Sequence, residues 1–301
     1  MTNLPLYSII IPTYNSAELL RRALDSVEQQ TFQDFEVIVI DNQSEDHTRE
    51  VIASFDDPRI TGHEIDNAGI IAASRNLGIS RARGEWICFL DSDDWWYPKK
   101  LETVHHFLSG SDIIYHDLDV HDSNGKRYWK KVKGKRLSPP VFSSLMKCGN
   151  VMVTSSVVVR KQILEQVGGL DEDAAIVAAE DYDLCLRISR ITERFTYIPR
   201  SLGAYWIGGG NMTEISERQI ERVEAVYRKH LAFLKEEDRQ DVVTIMNYGR
   251  ARILQKMGRV MEAAALFRET LRARMLNIKI KSLYCFVISY LQGMCRQERA
   301  Q

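Results

Sequence analysis

The sequence predicts an α/β fold: a mostly parallel central sheet flanked by helices, followed by an all-helical C-terminal extension. Three observations carry that expectation. Short apolar runs alternate with amphipathic helical stretches through residue 109, the pattern of parallel strands joined by crossover helices. Three of those runs stop abruptly in polar clusters at 12–15, 41–46 and 91–94, as happens where strands deliver loops to one edge of an open sheet. After about residue 213 the β pattern ends and helical spacing takes over.

The elements follow in order. Tyr7–Ile11 reads as a strand, and Asn15 with Glu18 reads as a capping box. The helix it opens has an apolar face of Leu19, Leu20, Ala23, Leu24 and Val27. Phe35–Ile40 is a second strand, Thr48–Phe55 a helix and Arg59–His63 a short third strand. Ala68–Ala82 is helical, with Gly84 as its C-terminal cap. Trp86–Leu90 is a buried strand that delivers Asp91, Ser92, Asp93 and Asp94. Beyond Asp112 the pattern changes. Ile113–Tyr115 and Val151–Val159 read as β, and residues 122–125 as a hairpin turn. Glu180–Ile191 is a helix that starts with acids. Phe195–Trp206 is β interrupted by Pro199, and Gly208-Gly209-Gly210 is a loop. Tyr248–Leu271 has the small-residue spacing of a helical hairpin.

Composition narrows the function classes. The chain has 301 residues, 45% hydrophobic and 27% charged, ordinary for a globular protein. A net charge of −1 argues against nucleic acid as a partner. Five cysteines at 88, 148, 185, 285 and 295 show no C-x-x-C, which fits reduced thiols in the cytosol rather than a disulfide framework or a zinc site. Met-Thr-Asn-Leu-Pro has no basic region leading into an apolar core, so no signal peptide is expected. The chemistry concentrates at Asp91 and Asp93. Two carboxylates two residues apart at a strand end can turn to one hard cation, Mg²⁺ or Mn²⁺, of the kind a diphosphate carries.

Four clusters, read together, carry a resemblance. They include Ser8-Ile-Ile-Ile-Pro-Thr-Tyr-Asn15, Asp41-Asn-x-Ser-x-Asp46, Asn67-x-Gly69 with Arg75-Asn-x-Gly78, and Gly84-Glu-x-Ile-x-Phe-Leu-Asp-Ser-Asp-Asp94. Val167-Gly-Gly-Leu-Asp171 and Glu180-Asp-x-Asp-Leu-x-Leu-Arg187 follow. In that order they resemble the family-2 glycosyltransferases, over about residues 5–210. The resemblance implies the A-type glycosyltransferase fold, with a Rossmann-like sheet. It implies a catalytic domain at 1–212, made of a nucleotide-binding half (1–110) and an acceptor-binding half (111–212), with a helical extension at 213–301.

The activity it implies is transfer of a sugar from a nucleoside diphosphate to a hydroxyl of a glycan or lipid-linked saccharide, in bacterial polysaccharide biosynthesis. Pro12, Thr13, Tyr14, Asn15, Asp41, Asn42, Arg75, Asp91, Ser92 and Asp93 would bind the sugar nucleotide. Asp93, helped by Asp91, would hold Mn²⁺ or Mg²⁺. Many relatives have a second Asp where this chain has Asn42. An amide oxygen can still accept from a pyrimidine N3–H, so a UDP-sugar comes first and a dTDP-sugar second. Asp181, the second acid of its pair, would be the general base of an inverting reaction. Trp95, Trp96 and Glu180 are candidates for the acceptor side. Some relatives carry a His near Tyr205–Asn211, and this chain has none between His121 and His230.

The alternatives are a catalytically inactive sugar-nucleotide-binding module and a nucleotidyltransferase, though the glycine-rich basic loop of the latter is missing near the first strand. A dehydrogenase is disfavoured because no G-x-G-x-x-G follows that strand. From Arg250 to Gln301 eleven Lys or Arg face three Glu. The apolar run Leu283–Leu291 within that segment is too short to span a bilayer. A basic amphipathic helix of this kind lies on a membrane surface, covers the catalytic domain or pairs with another subunit. The expected location is the cytoplasm, with peripheral contact to the inner face of the plasma membrane.

Overall fold

β1 (Tyr7–Thr13) and β2 (Phe35–Asp41) are buried at every position, as expected of parallel strands covered on both faces. The structure, a computed structural model, describes residues 4–122, 126–208 and 216–298. β1 pairs in parallel with β2 on one side and with β4 (Trp86–Phe89) on the other, and β2 pairs in parallel with β3 (Ile60–Glu64). The crossovers are α1 (Ala17–Glu28), α2 (Thr48–Ala53) and α3 (Ile71–Arg81). The apolar faces of α1 and α2 and one face of the strands enclose a core that includes Ile9, Ile11, Leu20, Leu24, Val37, Val39, Val51 and Trp86.

After β4 the sheet turns mixed. β5 (Trp95–Trp96), α4 (Lys100–His105), β6 (Ile113–Asp122), β7 (Arg127–Val132) and α5 (Val141–Cys148) come next. A 3₁₀ turn at Thr154–Ser156, β8 (Val158–Arg160), α6 (Lys161–Val167), α7 (Glu180–Ile188) and β9 (Phe195–Ile207) complete this part. The order is β3-β2-β1-β4-β8-β6-β9-β5, with β7 beside β6. β8 runs antiparallel to both β4 and β6, while β6 and β9 are parallel. The mostly parallel expectation therefore describes the first four strands, and the second half is mixed. The expected hairpin has β6 and β7 as its antiparallel arms; its turn residues 123–125 lie outside the described residues.

Several local expectations are corrected. Asn15 does not cap α1. It sits at φ 44°, and Ser16 is the capping position, without a side-chain cap bond. The Ala17 N–H is instead satisfied from another loop, by Asp46 Oδ2 at 3.0 Å. Gly84 is not a helix cap either, since α3 ends at Arg81 with Ala82 as its C-cap. It is a close-approach glycine: a Cβ there would lie 2.7 Å from the backbone nitrogen of Ser8. Its N–H donates to Ser8 Oγ at 2.8 Å, and Ser8 Oγ donates to Glu36 at 2.6 Å. Val151–Val159 is strand only at its end. Thr154–Ser156 turns away, with Ser156 Oγ donating to the Val153 carbonyl at 2.7 Å, a local bond that competes with the ladder. Pro199 falls in a bulge, where the register steps from His116–Ile198 to Asp117–Ser201; a bulge needs no N–H from proline.

The chain divides into two compact units, Met1–Leu145 with Gly149–Asn211 and Met146–Cys148 with Met212–Gln301. The second contains α8 (Glu217–Leu231), α9 (Glu236–Lys256), α10 (Val260–Thr270) and α11 (Leu276–Glu298). α9 and α10 form the expected hairpin around Gly258 at φ 81°. Ile220, Ala251, Leu254, Ala263, Phe267 and Cys285 make its core.

Gly84→Ala forces a methyl against strand backbone that cannot yield. The expected loss of stability is about 1–3 kcal/mol, read as a lower denaturant midpoint at unchanged m-value.

Candidate active site

The C-terminal ends of β1, β2 and β4 lie side by side, so the loops after them meet at one edge. Hydrogen bonds join the loops after β1 and β2 to each other and to the approach to α3. Asp41, buried, accepts from Ser44 N–H at 3.1 Å and from Ser44 Oγ at 2.5 Å. Ser44 Oγ accepts from Asn15 N–H at 2.9 Å, and Asn15 Oδ1 accepts from Glu45 N–H at 2.7 Å. Asn42 N–H donates to the Thr13 carbonyl at 3.0 Å. Asn42 Oδ1 accepts from Asn67 N–H at 2.9 Å, and Asn67 Nδ2 donates to Ser74 Oγ at 2.8 Å on α3.

Ser74, Arg75, Asn76 and Gly78 have separate tasks on α3. Arg75 is 3% exposed, and its guanidinium spans two carboxylates. Nη2 reaches Asp91 Oδ1 at 2.7 Å, and Nη1 reaches Glu180 Oε1 at 2.5 Å. Asn76 brackets the turn after α6, accepting from Leu170 N–H at 2.8 Å and donating to the Leu170 carbonyl at 2.9 Å. Gly169, at φ 75°, passes so close that a Cβ would lie 2.6 Å from Asn76 Oδ1. Gly78 lets the helix press on β1, where a Cβ would lie 2.4 Å from the Ile10 side chain. Asp183, fully buried, pairs with Arg187 at 2.7 Å, and Arg187 also donates to the carbonyls of Val167 and Gly169. The start of α7 is thereby fixed against α3.

Charge is divided unevenly over the acidic loop. Burial would lower the basicity of Arg75, but Asp91 and Glu180 outweigh it and hold the guanidinium protonated. Arg75 therefore offsets Asp91. Asp93 has no ion pair among the described residues; burial, then the Asp91 charge, raise its carboxyl to about 6. Asp94 is buried and raised further, first by burial and then by Asp93. It closes the turn through its N–H to the Asp91 carbonyl at 3.0 Å and accepts from Trp206 N–H at 2.8 Å. Across the site, Asp181 Oδ2 accepts from Asn150 Nδ2 at 2.9 Å and from Thr154 Oγ1 at 3.3 Å. Burial and the neighbouring Glu180 raise Asp181 to about 6, against the pull of Arg75 and the Asn150 bond.

The expected residues thus fall into three groups. Tyr14 is exposed, Ser92 and Asp93 are partly open at the loop, and Asp181 is partly open at the head of α7. Pro12, Thr13, Asn15, Asp41, Asn42, Arg75 and Asp91 lie at the same edge, but most of their polar atoms already hold loop to loop. The buried hydroxyl of Thr13 is an exception, with no hydrogen-bond partner among the described residues. Trp96 and Glu180 are corrections. Trp96 is 2% exposed, its indole N–H donates to the Ser155 carbonyl at 2.8 Å and Lys100 Nζ lies 3.4 Å above its ring, so it is core. Glu180 is buried, with Oε1 on Arg75 Nη1 at 2.5 Å, so it pairs with Arg75 instead of standing open to an acceptor. Trp95 is partly exposed, with the Arg22 guanidinium stacked on it at 4.0 Å. Tyr205–Gly208 is described, but residues 209–215 of the glycine loop lie outside the described residues.

Four residues at the site have no counterpart among the sequence-based candidates. Arg22 donates to the Asp93 carbonyl at 2.5 Å, and Ser155 Oγ accepts from Asp91 N–H at 3.1 Å. Asn150 and Thr154 support Asp181. On sequence alone, Arg22 is one more cation on the polar face of a helix and the others are loop residues.

The site also bears on a metal ion. Among the described residues no three His, Cys, Asp or Glu side chains gather in a way that could hold one. The fit is instead that of a shared site. Asp93 keeps an unneutralised, partly desolvated carboxylate beside Asp91, and a cation arriving with its own anionic ligands would relieve that charge.

This arrangement of strand-end loops can be set beside known proteins. The sequence matches the family model for glycosyl transferase family 2 over residues 8–168. The chain belongs to that family. An uncharacterized glycosyltransferase of a Nostoc species is 35% identical over 173 residues, which cover 54% of this chain and 53% of that protein. The chain thus spans about half the length of that relative. The amylovoran biosynthesis glycosyltransferase AmsB of Erwinia amylovora is 28% identical over 216 residues, 66% of this chain and 69% of its own. Among solved structures, S. aureus TarS 1–349 in complex with UDP-GlcNAc superposes with a TM-score of 0.68 at 18% identity, covering 97% of this chain and 92% of that one. A mannosyltransferase from Pyrobaculum calidifontis in complex with GDP-Man and Mn²⁺ gives 0.62 at 17%, covering 97% and 85%. The fold is accordingly the A-type glycosyltransferase fold.

Arg75→Met leaves the buried Glu180 and the partly buried Asp91 without their cation. The expected cost is about 3–5 kcal/mol in unfolding free energy. Arg75→Lys is expected to recover only part of it, because an ammonium lacks the fork that reaches both acids. Urea titration of the three proteins measures the difference.

Proposed function

We propose that this glycosyltransferase is an inverting enzyme that moves a sugar from a nucleoside diphosphate, UDP first and dTDP second, to a hydroxyl of a glycan or lipid-linked acceptor in bacterial polysaccharide biosynthesis. The observation that carries the reading is the Arg75 bridge. One buried guanidinium ties Asp91 of the strand-end loop to Glu180, the neighbour of Asp181. A donor diphosphate at Asp91–Asp93 and a base at Asp181 are thereby held in one frame. Relatives of similar fold support the donor class, since TarS binds UDP-GlcNAc and the Pyrobaculum protein binds GDP-Man with Mn²⁺.

In this reading Thr13 and Tyr14 contact the nucleoside, and the unpartnered Thr13 hydroxyl is available to it. Asn42 uses one lone pair of Oδ1 on Asn67 N–H and keeps a second for a pyrimidine N3–H. Asp93, helped by Asp91, would hold Mn²⁺ or Mg²⁺ brought with the donor diphosphate. That ion would offset the charge growing on the leaving diphosphate. Asp181 accepts the proton of the acceptor hydroxyl. The acceptor oxygen bonds to the anomeric carbon, and the bond from that carbon to the diphosphate oxygen breaks on the opposite face. Asn150 and Thr154 aim Oδ2, and the environment that raises Asp181 to about 6 makes it a stronger base than an ordinary aspartate. Tyr14 is an exposed aromatic available for ring stacking, and Trp95 is a partly exposed one with Arg22 on one face.

Three outcomes are expected. Asp181→Asn lowers kcat by about 10²–10⁴-fold while nucleotide affinity, read by calorimetry with UDP and Mn²⁺, stays within error. An inactive binding module would show no transfer in either protein. Because the base works only when ionised, kcat/KM of the wild type at saturating Mn²⁺, which keeps Asp93 ionised, is flat above pH about 6 and falls about tenfold per pH unit below it. Chelation by EDTA, or Asp93→Asn, removes transfer from a labelled UDP-sugar panel; full activity after either would remove the ion from the mechanism.

A further inference from the structure

α11 carries its amphipathic pattern the wrong way round for a helix packed on a core. Its inward face is Ile278, Ser282, Cys285 and Ser289, all buried. Three of those four are small and polar or weakly polar. They are satisfied locally: Thr270 Oγ1 donates to Ser282 Oγ at 2.8 Å, Gln255 Nε2 to Ser289 Oγ at 2.8 Å, and Arg252 lies 3.2 Å from Cys285 Sγ. The outward face is apolar. Leu276 is 69% exposed, Tyr284 68% and Ile280 59%, and Leu283, Val287, Tyr290, Leu291 and Met294 are also exposed. At 100° per residue these eight side chains fall within an arc of about 120°. The buried set lies roughly opposite. A stripe of this length is unusual on free surface and marks a surface that meets an apolar partner.

Charge decides between partners. From Leu271 to Gln297 there is no Asp or Glu, against five cations at Arg272, Arg274, Lys279, Lys281 and Arg296. Lys279 and Lys281 are exposed and stand one on each side of the stripe. A second copy brought to the same face would place like charges together without an acid to meet them. An anionic lipid surface meets both features, with acyl chains for the stripe and headgroups for the flanking lysines. Tyr284 and Tyr290 suit the boundary, with an apolar ring and a polar tip. None of the described helices is long and apolar enough to cross a membrane, so the helix would lie in the plane of the surface.

We propose that α11 is an in-plane anchor for an anionic phospholipid surface, with its Leu276–Met294 stripe immersed and Lys279 and Lys281 at the headgroups. This does not depend on the proposed reaction. The test is flotation of the full chain with vesicles of phosphatidylcholine alone or mixed with phosphatidylglycerol. The expected result is binding to the mixed vesicles, weakened by added salt. Leu283→Asp with Leu291→Asp should reduce binding by at least about tenfold. Lys279→Glu with Lys281→Glu should abolish the preference for phosphatidylglycerol. Circular dichroism should show both variants folded; if the Asp pair is not, Tyr284→Ser with Val287→Ser replaces it. Two results would overturn the proposal. One is equal flotation of wild type and stripe variants. The other is a lipid-free dimer in sedimentation velocity that the stripe variants split, which would make the stripe a contact between copies.

Discussion

The buried Arg75 fork joins three parts of the catalytic unit that are distant in sequence: α3, the loop after β4 and the head of α7. A guanidinium with almost no exposure is tolerable only because Asp91 and Glu180 accept from its two arms in a geometry that a planar fork can satisfy. Asn76 and Gly78 next to it press the same helix onto the Gly169-Leu170 turn and onto β1. The position of Asp181 follows from those contacts, because α7 is tied down through Glu180, Asp183 and Arg187.

The same fork has an electrostatic consequence. By offsetting Asp91 it leaves Asp93 as the carboxylate with unmet charge, and by sitting beside Glu180 it tempers the repulsion that raises Asp181. The strand-end loops are braced against one another for a related reason. Asp41, Ser44 and Asn15 spend their hydrogen bonds on one another, as do Asn42 and Asn67. Polar residues at such an edge divide into those that build the cradle and the few, such as Thr13, Tyr14 and Asp93, that have capacity left for a ligand.

Much of this edge was legible in the chain. Buried parallel strands show as unbroken apolar runs, and the loops after them as short polar clusters, so β1, β2 and β4 and their acidic and amide-rich ends could be read directly. Trp96 and Glu180 were read less well. A tryptophan beside an acidic loop has the same sequence signature whether its ring faces solvent or core; here the Ser155 carbonyl and Lys100 capture it. Asn15 and Gly84 illustrate the converse. Both have the residue type of a helix cap, but their partners, Ser44, Glu45 and Ser8, come from strands and loops that no local pattern specifies.

By itself the sequence determined the alternation of strand and helix, the clustering of Asp91 and Asp93 at a strand end, and the amphipathic basic tail, because each depends on periodicity or on neighbours a few residues apart. Only the tertiary structure decided the rest. It inserted β8 antiparallel beside β4, brought Asn150 and Thr154 onto Asp181, enclosed Arg75 between two acids, and turned the apolar side of α11 outward. All of these are contacts across dozens of residues, set by packing of whole elements, and a local pattern carries no information about which distant face an element will meet.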